Sequence, residues 1–262
     1  MKIKLSLVVI TYNEEKNIGR CLDSVKDVVD DIVVVDSYSI DRTEEICVQK
    51  GARFISHTFH SHIDQKNWAI TQARYPHILS LDADEALSEQ LRNSILEAKN
   101  NWKYDGYYFN RLNNYCGKWI RHTTWYPSRK LRLWDSRKGH WGGVNPHDKY
   151  ILDPGTEMQY LKGDLLHYTF YNFEEHEKQV ARFSSIIAQS YFDMGIRTSL
   201  VKRILHTSWR FMNNYIIRLG FLEGYTGFTI SRLGARGVRL RHLKLRDLWR
   251  EQRNSSSATA HK

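Results

Sequence analysis

The chain has 262 residues, of which 41% are apolar and 26% charged, so it can bury a substantial core and is too apolar for wholesale disorder. Lys and Arg outnumber Asp and Glu 39 to 29, and the net charge of +10 implies an anionic partner: nucleic acid, an acidic membrane surface or a phosphorylated substrate. Cys21, Cys47 and Cys116 are widely spaced and odd in number, which excludes a disulfide framework and a zinc knuckle and fits a reducing cytosol.

The first hundred residues alternate apolar runs with helix-like stretches. Leu5–Ile10, Asp31–Val35, Ala52–Ile55 and His77–Leu81 read as buried strands. Glu15–Val25, the stretch up to Lys50, Ile63–Ala73 and Ser88–Lys99 read as the helices between and after them. This alternation predicts an α/β fold whose mostly parallel sheet is flanked by helices. The region Tyr104–Lys149 is rich in Tyr, Trp, Arg and Gly and reads as strands and loops. Phe173, Val180, Phe183, Ile187, Tyr191 and Met194 recur at helical spacing, and further helices are expected over Val201–Leu219 and Val238–Trp249. The tail from Asn254 to Lys262 is weakly hydrophobic and is expected to fray. The N-terminus has no signal-peptide pattern, and no run of about 18 apolar residues suggests a spanning helix.

The charge is unevenly placed. Between Arg197 and Arg253 there are 13 Lys or Arg against Glu223, Asp247 and Glu251, so this window carries the whole excess. The remainder is balanced, with 26 basic and 26 acidic residues. Basic residues mixed with Phe211, Tyr215, Ile216, Leu219 and Phe221 fit an interfacial membrane segment, a nucleic-acid surface, or a solvated face of packed helices. The first reading is preferred, and nucleic acid is the weakest of the three.

In parallel sheets ligands bind beyond the carboxyl ends of the strands. Polar runs stand at three such ends: Thr11–Glu15, Asp36–Asp41 and Asp82–Glu85. The pair Asp82 and Asp84 suits a divalent cation with oxygen ligands, Mg²⁺ or Mn²⁺, bridging a diphosphate. The competing reading is an acidic turn that caps the next helix. Asp36 suits hydrogen bonds to a nucleoside, or the cap of the following helix, which Asp41 could equally provide. P-loop, dinucleotide and nucleophile-elbow motifs are all missing from the sequence.

The runs LVVITYNEE, DIVVVDSYSIDRT, QKNWA and LSLDADE, in this order, resemble family 2 glycosyltransferases over about residues 4–150. LHYTF and GFLEGYTGF resemble a bacterial subgroup that includes lipopolysaccharide core β-glucosyltransferases. The resemblance implies a GT-A fold. It implies a domain over 1–170, with a nucleotide-sugar half to about residue 100 and an acceptor half after it. A basic helical appendage would cover 171–253, and a flexible tail 254–262. It implies that Thr11, Tyr12, Asn13 and Glu14 cradle base and ribose, and that Asp36 bonds the base, most simply uracil. Lys66 would lie near the base or phosphates, Asp82 by the ribose, and Asp84 on the metal. His167 would be a further metal ligand or phosphate contact, or simply a half-buried histidine. The subgroup's His-acid pair matches His147 and Asp148, which makes Asp148 the candidate general base. Glu85 and Asp135 are its rivals, and the competing reading pairs Asp148 with Lys149 or Arg132.

The implied function is inverting transfer of glucose or a related hexose. The donor would be a UDP-sugar and the acceptor a lipopolysaccharide core, lipid-linked or other cell-envelope glycan. The enzyme would sit in the cytoplasm, peripheral on the inner face of the membrane. The alternative is a non-catalytic nucleotide-sugar- or nucleic-acid-binding protein.

Overall fold

The computed structural model describes residues 1–144 and 147–259, with side chains for all of these but 144, 147 and 255–259. They form two compact units: Met1–Leu112 with Ser128–Tyr168, and Asn113–Pro127 with the chain from Thr169 onward.

In the first unit the expected alternation is present. It runs β1 (Leu5–Thr11), α1 (Ile18–Val25), β2 (Asp31–Asp36), α2 (Thr43–Gln49), β3 (Arg53–Ser56), α3 (His62–Thr71) and β4 (His77–Asp82). A short β5 (Glu85–Leu87) follows, and then α4 (Glu89–Asn100). The first four strands are parallel in the order β3-β2-β1-β4. Their continuous apolar sequence reflects burial on both faces. Leu5, Leu7 and Val9 join Ile18, Leu22 and Val25 in one core, while Val8, Val33 and Val35 join Ala69 and Ile78 in another. Ser61 and Ser88 start α3 and α4 by accepting hydrogen bonds from the amides of Asp64 (3.1 Å) and Leu91 (3.3 Å).

The middle of the chain supplies β6 (Gly106–Tyr115), β7 (Lys118–Ile120), β8 (Arg129–Asp135), β9 (Gly139–Val144), β10 (His147–Leu152) and β11 (Met158–Phe170). The sheet continues past β4 as β8-β6-β11-β5, with β8 antiparallel to both β4 and β6 and β11 antiparallel to β5. β9 and β10 form a separate antiparallel ribbon. The architecture is therefore the predicted α/β sheet, a parallel half extended by antiparallel strands.

Two local features set the site. Tyr107 and Tyr108 are consecutive on β6 but face Leu133 and Leu131 of β8, so Arg132 is an extra residue at a bulge. Gly163 has φ +103, and a Cβ there would lie 2.3 Å from the Leu91 amide nitrogen. Only glycine lets β11 pass this close to the start of α4.

The second unit contains α5 (Phe173–Asp193), α6 (Leu200–Met212) and α7 (Gly224–Thr259). Tyr115, Ile120, Phe170 and Ile230 form a small core. Glu223 is buried just before α7 and accepts hydrogen bonds from the amides of Arg121 (2.9 Å) and His122 (3.1 Å). α6 buries no side chain. α7 is one helix of 36 residues that begins well before Val238 and continues through 254–259. The remaining tail, 260–262, lies outside the described residues.

Candidate active site

The site forms at the carboxyl ends of β1, β2 and β4. Thr11 stands beside Asp36 and Ile10 beside Asp82 in the parallel register. Asp36 is buried and accepts from Thr11 Oγ1 (2.9 Å), the Ser39 amide (2.6 Å) and Ser39 Oγ (2.5 Å). Three of about four acceptor positions on this carboxylate are thus filled by the protein. The first turn of α2 is held by Asp41 instead, which accepts from the Thr43 amide at 3.0 Å.

Asn13 sits in the left-handed region at φ +56 and shapes the turn after β1. Its side chain accepts from the Ile40 amide (2.9 Å), and its own amide donates to Ser39 Oγ (2.7 Å). Tyr12 and Tyr38 are exposed at the rim. Glu14 accepts from Asn17 Nδ2 at 2.9 Å. Burial pushes the Glu14 carboxyl above its usual range, aided by the nearby charges of Asp84, Asp41 and Asp82, while Asn17 acts against them.

Asp82 ends β4 and Glu85 begins β5, so the acidic run is a two-residue turn between strands rather than the start of a helix. Asp82 Oδ2 accepts from Arg132 Nη2 at 2.5 Å, and Asp82 Oδ1 lies 3.3 Å from Lys66 Nζ. Burial opposes ionisation of Asp82, but Arg132 and Lys66 outweigh it and hold the carboxyl well below the usual range. Glu85 is fully buried and accepts from Arg132 Nη2 (2.9 Å) and the Asp82 amide (3.0 Å), with Arg111 Nη1 at 3.6 Å.

Lys66 also donates to Asp148 Oδ2 at 2.8 Å. Asp148 therefore pairs with Lys66 from α3 rather than with Lys149 or Arg132. The neighbouring Asn67 fixes this geometry by exchanging two hydrogen bonds of 2.9 Å with the Trp141 backbone, which ties α3 to β9. Lys66 Nζ then lies 4.3 Å from the centre of the Trp141 ring. His147 is placed on β10, but its side chain lies outside the described residues.

Pairing of β11 with β5 sets His167 opposite Glu85. His167 Nε2 lies 3.1 Å from Asp84 Oδ2, and the Tyr168 amide donates to the Asp84 carbonyl at 3.0 Å. Adjacent ligands of an octahedral cation, at bonds of about 2.1 Å, stand about 3.0 Å apart, so this pair fits one edge of such a shell. Among the described residues no group of three or more His, Cys, Asp or Glu side chains gathers around a common point.

Asp135 pairs in register with His77 at the opposite end of β4 from Asp82, about 17 Å away at ~3.3 Å per residue, and is bonded to Arg137 at 2.6 Å. That removes it as a rival base. Glu85, the other rival, is sealed between arginines. His57 stacks on Trp68 at 3.8 Å and bonds Gln65. Trp134 stacks on Tyr150 in the core. The sequence reading missed Arg111, Lys130 and Arg132 as site residues. The available signal was Arg111 on β6 and Lys130 and Arg132 on β8, cations set among the apolar residues of two strands.

The glycosyl transferase family 2 pattern matches residues 6–152, more than half of the chain. The chain belongs to this family. An uncharacterized glycosyltransferase of Rickettsia typhi is 29% identical over 262 residues, covering 96% of this chain and 89% of that protein. The lipopolysaccharide core biosynthesis glycosyltransferase LpsC of Rhizobium meliloti is 27% identical over 256 residues, covering 92% and 94%. Among solved structures, S. aureus TarS 1-349 in complex with UDP overlaps 95% of this chain and 92% of its own, with 14% identity and a TM-score of 0.46.

Proposed function

We propose that this family 2 glycosyltransferase moves glucose or a related hexose from a UDP-sugar to a hydroxyl of a membrane-bound glycan or glycolipid, with inversion. One observation carries the reading: Asp84 and His167 form a cation-sized pair beside the chain Asp82–Lys66–Asp148. The likeness to LpsC supports a lipopolysaccharide core acceptor.

In this reading Thr11, Tyr12, Asn13 and Glu14 receive the uracil and ribose, and Asp36 orders the turn that holds them and bonds the base. Asp82 and Lys66 flank the ribose and phosphates. Asp84 and His167 would hold a divalent cation, Mg²⁺ or Mn²⁺, which would supply positive charge to the departing diphosphate. Asp148 takes the proton from the acceptor hydroxyl. The acceptor oxygen then bonds the anomeric carbon opposite the breaking bond to diphosphate, giving a β product from an α donor. Lys66 holds Asp148 in place.

Calorimetric titration with UDP and Mn²⁺ tests the donor site. Wild type should bind UDP more tightly with Mn²⁺ than without, and Asp84→Ala and His167→Ala should each weaken Mn²⁺-dependent binding at least tenfold. Unchanged binding in both variants removes the metal assignment.

The second unit supports an anionic membrane surface as partner. Val201, Leu205, Trp209 and Met212 recur three or four residues apart on α6, and all are exposed. Ile216, Phe221 and Leu222 extend the apolar surface, and the flanking window holds the 13 Lys and Arg. Among the described residues no helix is long and apolar enough to cross a membrane. An apolar stripe edged by cations suits shallow insertion among anionic headgroups. The chain should float with phosphatidylglycerol vesicles at low salt, and Leu205→Glu with Trp209→Glu should abolish flotation without altering UDP binding. Absence of flotation at low salt overturns the membrane reading alone.

A further inference from the structure

Beside the Asp82–Arg132–Glu85 cluster lies a second group of charges that the transfer chemistry does not use. The bulge at Arg132 turns its guanidinium toward Asp82 and Glu85. Past the bulge Lys130 stands opposite Phe109 on β6, and Arg111 follows two residues on, on the same face. Cations thus outnumber the anions that serve them. Arg132 meets both carboxylates, and Arg111 reaches Glu85 only at 3.6 Å. The Nε atoms of Arg111 and Arg132 are buried without a hydrogen-bond partner among the described residues. Lys130 is half-buried, and its side chain has no hydrogen bond or ion pair among them. Burial pulls the Lys130 ammonium below its ordinary range, and repulsion from Arg111 and Arg132 adds to this, against weaker attraction from Glu85 and Asp82.

A half-buried ammonium on the same face as a guanidinium, with no carboxylate of its own, is unfavourable in the free protein. An incoming anion reverses that balance.

We propose that Lys130 and Arg111 form a subsite for an oxyanion of the substrate, a phosphate or carboxylate. Arg111 presents a planar fork suited to two oxygens, and Lys130 contributes a point charge with three donors. Two sources share this chemistry: the diphosphate of the donor, and an acidic group carried by the acceptor. The subsite rests on the glycosyl-transfer reading only for the identity of the donor.

The test uses the full chain at one fixed low ionic strength. Inorganic phosphate is titrated by calorimetry, with and without saturating UDP and Mn²⁺, into wild type, Lys130→Met, Arg111→Met and Lys130→Arg. The two methionine variants should weaken an anion at least tenfold, and Lys130→Arg should stay within threefold of wild type. If phosphate still binds beside UDP, and Lys130→Met loses phosphate but not UDP, the acceptor supplies the anion. If UDP displaces phosphate, and Lys130→Met weakens UDP itself, the donor diphosphate supplies it. Thermal unfolding separates binding from folding. Lys130→Met should melt at or above the wild-type temperature, because it removes an unpaired charge, whereas a lysine that only supports the fold would give a lower one. Phosphate and UDP binding both within twofold of wild type in the methionine variants overturns the subsite, as does absence of phosphate binding with UDP unaffected. Failure of wild type to bind UDP with Mn²⁺ refutes the donor reading and leaves the phosphate measurement standing.

Discussion

Lys66 is the residue on which most of the site depends. It reaches Asp82 at 3.3 Å and Asp148 at 2.8 Å, and its Nζ lies over the Trp141 ring. Removing it leaves two carboxylates sharing less positive charge in a partly buried place. Lys66→Met should cost about 1–3 kcal/mol in urea unfolding and also depress turnover. Asp148→Asn should behave differently. As a lost general base it should lower turnover by about 10²- to 10⁴-fold while UDP affinity stays within twofold. Equal turnover for Asp148→Asn and wild type moves the base elsewhere. Asp82 and Asp84 could be picked out as candidates from sequence, because two carboxylates follow an apolar run at a strand end. Arg132 was not, because a bulge depends on how two strands align, and nothing local announces it.

At the scale of elements, β11 decides the cation pair. His167 meets Asp84 only because β11 pairs with the three residues of β5, and β11 runs there by way of Gly163. Gly163→Ala should destabilise the protein by about 2–4 kcal/mol and weaken Mn²⁺-dependent UDP binding with it. Thermal unfolding and calorimetry check this, and a wild-type melting temperature would show that the close approach is not required. α7 teaches a related lesson. Gly227, Gly234 and Gly237 lower helix propensity, so periodicity placed a helix only from Val238. In the fold these glycines lie in a single helix and serve close contacts. A Cβ at Gly227 would fall 1.9 Å from the Gly220 carbonyl oxygen, and one at Gly237 would lie 3.3 Å from Val180 Cγ1. Packing overrides a propensity penalty of about 1 kcal/mol per glycine.

Over the whole molecule, charge and acid response divide by region. The basic excess belongs to the C-terminal window, whereas the site carboxylates meet cations of their own unit. Part of the acid sensitivity of the second unit follows from His176, which is buried with Nδ1 3.0 Å from the Tyr115 hydroxyl and stacks on Phe170. Burial lowers it from 6.5 to about 4, with Glu177 acting weakly the other way. Above 6.5 the histidine is neutral in both folded and unfolded chains and contributes nothing to the pH dependence. Between 6.5 and about 4 the unfolded chain binds a proton that the folded chain refuses, so stability falls as pH falls. The loss reaches on the order of 3 kcal/mol below the folded value. Unfolding followed from pH 7 to pH 4.5 should show this decline, and His176→Phe should make it shallower whatever its effect at pH 7, leaving the share of His242, which burial also lowers to about 4. An unchanged slope in that variant assigns the decline to other groups.

The sequence by itself determined the four parallel strands to within a residue at each end, the acidic turn after β4 and the basic C-terminal quarter, because apolar periodicity, turn residues and charge counts are local properties. The family motifs lie in that same local layer. Tertiary structure alone decided that Lys66 joins Asp82 to Asp148, that His167 faces Asp84, and that Asp135 stands at the wrong end of the sheet. The physical reason is register. A strand's pattern says which of its side chains share a face, but its partner, its direction and any bulge follow from packing of the whole sheet. Residues distant in sequence become a site only once that packing is complete.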